Sequence, residues 1–314
     1  MSPADTSRTG RDARTAGLCH TGTARLGFRV LRLTIAVTQD AFEHKALIAV
    51  CAQSHIMRFP ASESEMQDYL DFAVKTTSEA GQLTLRYFRT GITVETKRDG
   101  TPVTVADREA EVFIRDRIRE NYPEHTVRGE EFGTNEVSSD YEWLIDPIDG
   151  TKSFVNGIPL YTTLLALLYR GTPVLGVVHC PPLAETVAAV SGLGCTLNGR
   201  ACHVSSTERL EDAMVNVTDY RDLYAVRPDL TERLISTAKS CRAWGDAYGY
   251  VLVATGRADV MVDAVMSPWD IAPLGPIITE AGGVLGDLDG RPDLLGTSSV
   301  ACNRRLFGEL FGIS

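Results

Sequence analysis

One segment restricts the chain more than any other: WLIDPIDGTKSF, residues 143–154, in which an apolar run delivers two aspartates three positions apart. Trp143, Leu144 and Ile145 read as a strand, and Asp146, Pro147, Ile148, Asp149 and Gly150 then interrupt it. Pro147 lacks a backbone donor and fixes its φ, and Gly150 permits close backbone approach, so the two carboxylates are brought to point the same way. Hard cations such as Mg²⁺ take oxygen ligands and keep several waters, so a few carboxylates and one backbone carbonyl suffice to hold one. A helix beginning at Thr151 or Lys152 would set free N–H groups and the positive end of its dipole beside that ion, ready for phosphate. On spacing alone a plainer reading stands level with this one, in which Asp146 and Asp149 cap the helix and stabilise a turn. An EF-hand loop is excluded, because no regular ladder of ligands follows.

Two further acidic clusters sit at the ends of strand-like segments. RGEEFG, residues 128–133, places Glu130 and Glu131 side by side, which taken alone reads as a solvated turn. SPWDIAPL, residues 267–274, puts Asp270 ahead of an apolar helix carrying Ile271, Leu274, Ile277 and Ile278. Asp270 there is either a helix cap or a carboxylate that completes a metal shell from the other half of the chain.

Around these clusters the apolar periodicity alternates between helix and strand. Met66, Leu70, Phe72, Ala73, Ala80, Leu83, Leu85 and Phe88 predict a long helix from Ser62, with Ser62 and Ser64 as candidate caps. A polar loop, KRDGTPVT, leads to a second helix after Thr104, with Ala106, Ala110, Phe113, Ile114 and Ile118 on one side. Strands are expected at 126–127, 142–145, 164–169, 174–180, 186–190, 213–218 and 260–262, and helices at 229–240, 248–255 and 271–280. Such a mixture argues for stacked α+β and α/β layers.

Residues 1–57 differ in kind, with six arginines, Arg8 to Arg32, among Ser, Thr and Gly and few acids. The segment resembles an organelle transit peptide, or reflects a mis-assigned start with Met57 as the initiator; the second is the expectation. Lys+Arg 31 against Asp+Glu 41 leaves a net charge of −10, which gives no electrostatic reason to approach nucleic acid or an anionic membrane. A small-molecule partner is expected instead. Seven cysteines without a C-x-x-C pair suit a reducing compartment, and no uninterrupted apolar run reaches the ~20 residues of a bilayer span. A cytoplasmic location follows as the expectation.

Taken together, GEEFG, DPIDGTKSF and PWDIAPL followed by EAGG (residues 280–283) resemble the inositol-monophosphatase-like family of Mg²⁺-dependent, Li⁺-sensitive phosphatases, over residues 62 to 305. The resemblance implies an αβαβα sandwich, commonly dimeric, with two or three Mg²⁺ ions. It implies metal ligands at Glu130, Asp146, Asp149 and Asp270 and at the carbonyl of Ile148. It places Asp107 as the partner that orients Thr151, Lys97 as a cation near the catalytic waters, and the N–H groups of Gly150 and Thr151 on phosphate. Water activated by the ions, and oriented by Glu130 and the Thr151–Asp107 pair, would then attack phosphorus in line. Neither Ser153 nor Cys180 is needed as a nucleophile. On this scheme residues 58–203 form an N-terminal half with most metal ligands, and 204–314 a C-terminal half with Asp270 and the substrate selectors.

The metal motif does not choose among the monoesters this family handles. The segment RAWGDAYGYVLVATGRADVMVD, residues 242–263, looks most like the histidinol-phosphate phosphatases. Histidinol phosphate carries an ammonium and an imidazole, so Asp246 and Asp263 would complement it through charge-assisted hydrogen bonds. The bland readings are a helix cap for Asp246 and a strand-end acid for Asp263, and packing for Tyr248 and Tyr250 beside them. Phosphatases for inositol phosphate, 3′-phosphoadenosine phosphate or fructose bisphosphate are the same-family alternatives, and a metal-binding scaffold without turnover is the alternative of another class.

Overall fold

Ser62 opens the first helix with a reciprocal cap: its hydroxyl accepts the Glu65 N–H at 3.3 Å, and its own N–H donates to Glu65 Oε2 at 2.7 Å. The computed structural model describes residues 61–98 and 100–313, so the Arg-rich segment 1–57, and Met57 with it, lies outside the described residues. Helix α1 (Glu63–Leu85) fully buries only small residues, Ala73, Thr76, Thr77, Ala80, Gly81 and Thr84, where the sequence predicts a stripe led by larger ones. The small residues let the helix sit close on the sheet, while Met66, Leu70 and Phe72 pack along its rim. The loop after it forms a hairpin, β1 (Val94–Thr96) antiparallel to β2 (Pro102–Thr104), and α2 (Val105–Asn121) starts at once with Thr104 as its cap.

The strand-rich middle of the chain builds one sheet of eight strands. These are β3 (Thr126–Gly129), β4 (Gly133–Thr134), β5 (Tyr141–Asp149), β6 (Thr162–Tyr169), β7 (Thr172–Cys180), β8 (Glu185–Val190), β9 (Gly194–Leu197) and β10 (Arg200–Ala201). Their order is β10-β9-β8-β7-β6-β5-β3-β4, antiparallel except where β3 and β5 run together. Helix α3 (Thr151–Val155) is a single turn between β5 and β6. Beyond β10 the chain leaves this sheet and makes a second one.

The second sheet has five strands in the order β12-β11-β13-β15-β14: β11 (Met214–Val217), β12 (Ser240–Arg242), β13 (Val260–Asp263), β14 (Gly283–Gly286) and β15 (Ser299–Asn303). Helices α4 (Tyr220–Val226) and α5 (Pro228–Thr237) follow β11, α6 (Asp246–Ala254) follows β12, and α7 (Pro268–Ile271) and α8 (Leu274–Glu280) follow β13. Helix α9 (Arg304–Phe311) closes the described chain.

The burial pattern sets the layering. Along β6 and β7 neighbouring residues enter different cores: Leu165, Leu167 and Val177 pack with Ala73, Ala80 and Ile114 of α1 and α2, whereas Leu164 and Val178 pack with Tyr250 and Ile277 of α6 and α8. Strands buried on both faces need apolar residues at every position, which is why β6 reads TTLLALLY instead of alternating. Met261 and Ala301 of the second sheet join the same α6–α8 core, and its far face packs Val215 and Val217 on Leu230 and Leu306 of α5 and α9. The result is five layers, αβαβα, as the resemblance implies. Gly176 of β7 makes the tightest join between layers, because a Cβ there would overlap the Pro273 carbonyl ahead of α8.

Replacing Gly176 by Ala is therefore expected to destabilise the protein by about 2 kcal/mol or more, since backbone instead of a mobile side chain must move. Denaturant unfolding of wild type and variant measures it; an unchanged midpoint would contradict the packing described.

Candidate active site

Strand β5 carries the first two acids and is bent where they stand. Its pairing with β6 runs regularly from Tyr141↔Tyr169 to Asp146↔Leu164, then slips so that Asp149 meets Thr162. Pro147 has no N–H to give the ladder, so the strand bulges there. Inside the bulge the Ile148 N–H donates to Asp146 Oδ1 at 3.0 Å, and the Thr163 hydroxyl donates to the Pro147 carbonyl at 2.9 Å. Gly150 then turns the chain into α3 with φ +79°, a value glycine adopts freely. It caps α3 without any side-chain bond, so neither Asp146 nor Asp149 is used as a helix cap.

The third acid arrives from the other sheet. Ser267 and Asp270 form a capping box at α7, with the Ser267 N–H donating to Asp270 Oδ2 at 2.7 Å. Asp270 is thus the third residue of the turn and not its cap, and its carboxylate lies beside β5. One oxygen from each of Asp146, Asp149 and Asp270 falls within 4.8 Å of the other two. Among the described residues no Lys, Arg or His forms an ion pair with any of them.

Such crowding has a clear electrostatic signature. Burial, with Glu130, Asp149 and Asp270 adding repulsion, pushes Asp146 far above the usual carboxylate range. Asp149 is pushed up by burial and by Asp246 and Asp270, against hydrogen bonds from the Ala247 N–H at 2.6 Å and the Thr162 hydroxyl at 3.2 Å. Burial raises Asp270 to about 7, partly offset by the Ser267 N–H. Three clustered carboxylates, Asp146 buried and Asp149 and Asp270 partly buried, with oxygen donors only and no ion-pair partner among the described residues, are a donor set that suits a hard divalent cation.

Glu130 and Glu131 stand at the edge of this group. Lys97, on the β1–β2 hairpin, bridges both, its Nζ 2.6 Å from an oxygen of each. Burial works against the Lys97 ammonium, but the two glutamates more than compensate and raise its pKa. Glu131 is itself pushed up to about 7 by burial, with Lys97 opposing. Glu130 is not one of the three clustered aspartates, yet its charge raises both Asp146 and Asp270.

One expected pairing is absent. Asp107 gives Oδ2 to the Thr104 N–H at 2.8 Å and to the Thr104 hydroxyl at 2.6 Å, completing the α2 capping box. The Thr151 hydroxyl instead donates to the Ile148 carbonyl at 3.0 Å, the acceptor three residues back on its own chain. Asp107 is therefore buried near Glu130 without a bond to Thr151, and the Ile148 carbonyl is engaged locally.

The substrate-selector candidates separate. Asp246 follows the cap Gly245 at the start of α6 with φ +52°, a backbone state uncommon outside glycine. This turns its carboxylate over Gly150: a Cβ on that glycine would be 2.8 Å from Asp246 Oδ2. Burial raises Asp246 to about 6, with Lys152 opposing. Asp263 ends β13 and spends its carboxylate on the Thr218 hydroxyl at 2.7 Å and the Val265 N–H at 3.2 Å. Thr218 in turn accepts the Asp246 N–H at 3.0 Å, so Asp263 supports Asp246 from behind. Sequence reasoning missed Thr218, and nothing in its local pattern marks it. Tyr250 is fully buried on Ser299 and Met266, and Tyr248 reaches Glu185 at 3.3 Å, so both serve packing.

Comparison with known proteins identifies the family and the fold. Residues 65–311 match the model of the inositol monophosphatase family. A histidinol-phosphatase of Chlorobaculum parvum is 41% identical over 242 residues, covering 76% of this chain and 93% of that protein. One of Mycobacterium tuberculosis is 38% identical over 252 residues, covering 77% and 96%. Among solved structures, an IMPase of Thermotoga maritima superposes with a TM-score of 0.72 at 33% identity, covering 78% of this chain and 96% of its own.

Asp270, raised to about 7, holds a proton below that pH, and a cation needs the carboxylate free. Mg²⁺ uptake by the metal-free protein is thus expected to release protons at pH 6 and to weaken by about tenfold or more per pH unit below 7, since Asp146 and Asp149 are raised as well. Calorimetric titration in two buffers of different ionisation enthalpy measures both; affinity constant from pH 5.5 to 7.5 would refute the assignment.

Proposed function

Because the chain belongs to the inositol monophosphatase family, and is a phosphoric monoester hydrolase, we propose that it hydrolyses L-histidinol phosphate to L-histidinol and phosphate, with Mg²⁺ held by Asp146, Asp149, Asp270, Glu130 and the Ile148 carbonyl. The observation that carries the choice of ester is Asp246, whose carboxylate lies directly over Gly150 at the edge of the acid cluster. A cationic ester gains a charge-assisted hydrogen bond there, and a neutral polyol does not need one. Relatives at 38–41% identity are histidinol-phosphatases, which supports the same choice.

Bound divalent ions would neutralise the phosphate dianion and make a coordinated water more acidic. The protein supplies the rest. The first N–H groups of α3, at Thr151 and Lys152, have no intrahelical acceptor and lie next to Gly150, so they suit the phosphate oxygens. Glu130 is the base that takes the proton of the attacking water, and Lys97 holds its carboxylate in place. Asp246 binds the ammonium end of the ester, and Asp263, acting through Thr218, keeps Asp246 in its strained conformation. Asp107 acts by fixing the start of α2 beside Glu130.

An inositol-phosphate phosphatase is the second reading, favoured by the likeness to the Thermotoga maritima IMPase. We place the enzyme in the cytoplasm as a homodimer, and expect Li⁺ to inhibit it by competing for the cation site.

Phosphate release with Mg²⁺ on histidinol phosphate, inositol 1-phosphate, fructose 1,6-bisphosphate and 3′-phosphoadenosine 5′-phosphate tests the substrate; preference for any of the last three overturns it. Asp149→Asn is expected to lower kcat by about 100-fold or more, as loss of a ligand should exceed loss of its outer partner. Asp246→Thr is expected to raise KM for histidinol phosphate about tenfold or more, one lost charged hydrogen bond, and to spare inositol 1-phosphate. Unchanged turnover in Asp246→Thr would favour the second reading.

A further inference from the structure

Glu111 is fully buried on α2, and nothing in the reaction described so far uses it. Its carboxylate accepts the Glu131 N–H at 2.7 Å and the Phe132 N–H at 3.3 Å, both from the loop that carries Glu130. One helical turn further on, Arg115 donates Nε to Glu111 Oε1 at 2.6 Å, and its other arm donates to the Gly133 carbonyl. A single turn of α2 therefore grips three consecutive loop residues, two by their amides and one by its carbonyl. At the near end Gly129 comes so close that a Cβ would overlap the Glu111 carboxylate. On the opposite side the Glu130 N–H donates to the Ile145 carbonyl at 3.2 Å, on the strand that bears Asp146.

Glu130 thus has its backbone clamped between α2 and β5, and only its side chain is left to reach Lys97 or an ion. A buried carboxylate is costly unless its acceptor sites are filled, and here two amides and a guanidinium fill them. A charged acceptor also binds amides more strongly than a neutral one, so the loop is held more firmly than an ordinary turn.

We infer that Glu111, braced by Arg115, is the positioning residue for Glu130: it fixes where that carboxylate stands relative to Asp146 and Asp270. It acts on cation uptake and on the chemical step, not on the affinity for the ester. The inference rests on the hydrolase reading of the site.

The test uses Mn²⁺ alone, titrated into metal-free protein by calorimetry, together with Mg²⁺-dependent hydrolysis of histidinol phosphate. Glu111→Gln is expected to weaken Mn²⁺ binding and to lower kcat, each by about 10- to 100-fold, with KM changed less than about threefold. In a Glu130→Gln background the same substitution should cost less than about twofold more in Mn²⁺ affinity and in kcat, because the group it positions is already gone. Folded Glu111→Gln with wild-type Mn²⁺ affinity and kcat overturns the inference, as does an equal loss in both backgrounds, which marks a general structural role. Should Glu111→Gln fail to fold, Gly129→Ala, which keeps every charge and displaces the Glu111 carboxylate, is read by the same criteria. If the wild-type protein itself takes up no Mn²⁺ and hydrolyses no monoester, the site reading fails and the inference falls with it; Mn²⁺ uptake and hydrolysis in wild type with an inert Glu111 defeat the inference alone.

Discussion

Three carboxylates that repel one another, one buried and two partly buried, are gathered in one small volume, and the rest of the structure is arranged to keep them there. Asp146 and Asp149 come from a bulged strand of the eight-stranded sheet, and Asp270 from a short helix after the second sheet. Unpaired charges in such a place would carry protons or draw in a cation, and the raised pKa of each aspartate reports that tension. The amides of Ile148, Ala247 and Ser267 each donate to one of the three, which orients the carboxylates without neutralising them. The remaining electrostatic demand is what suits the site to hard ions.

The surrounding groups fall into two kinds. Some already have their charge partner in the protein: Lys97 with Glu130 and Glu131, and Arg115 with Glu111. These fix geometry. Others have no ion-pair partner within the protein among the described residues, as with the three aspartates and with Asp246 above Gly150. Asp246 is in addition kept in a left-handed backbone state, supported by Thr218 and through it by Asp263. Gly245 and not Asp246 caps α6, so this strained conformation does not arise from helix capping.

The layered fold explains how such a site is built. Helices α6 and α8 lie between the two sheets and share one core with both, and the start of α6 and the turn α7 ahead of α8 meet the end of β5. Close contact of Gly176 with the Pro273 carbonyl sets the depth at which α7 and α8 dock, and so the reach of Asp270. Small residues on α1 do the same on the outer face, where bulkier ones would lift the helix from the sheet.

Much of this was legible in the residues themselves, because patterns within one segment report local structure. The cap at Ser62, the helix start after Thr104, the apolar runs of β6 and β7, and the break at Pro147 all declare their elements from a few neighbours. The spacing of Asp146 and Asp149, by contrast, left a metal-binding pair and a capped turn level. Only the tertiary structure brings Asp270 beside them, because it comes from 121 positions beyond Asp149 and the residues between them carry no record of how two sheets dock. For the same reason the pairing of Asp107 with Thr104 instead of Thr151, the support of Asp246 by Thr218, and the grip of Glu111 on the Glu130 loop could not be read beforehand. A hydrogen bond goes to whichever partner the packed backbone brings within about 3 Å, and that distance belongs to the fold.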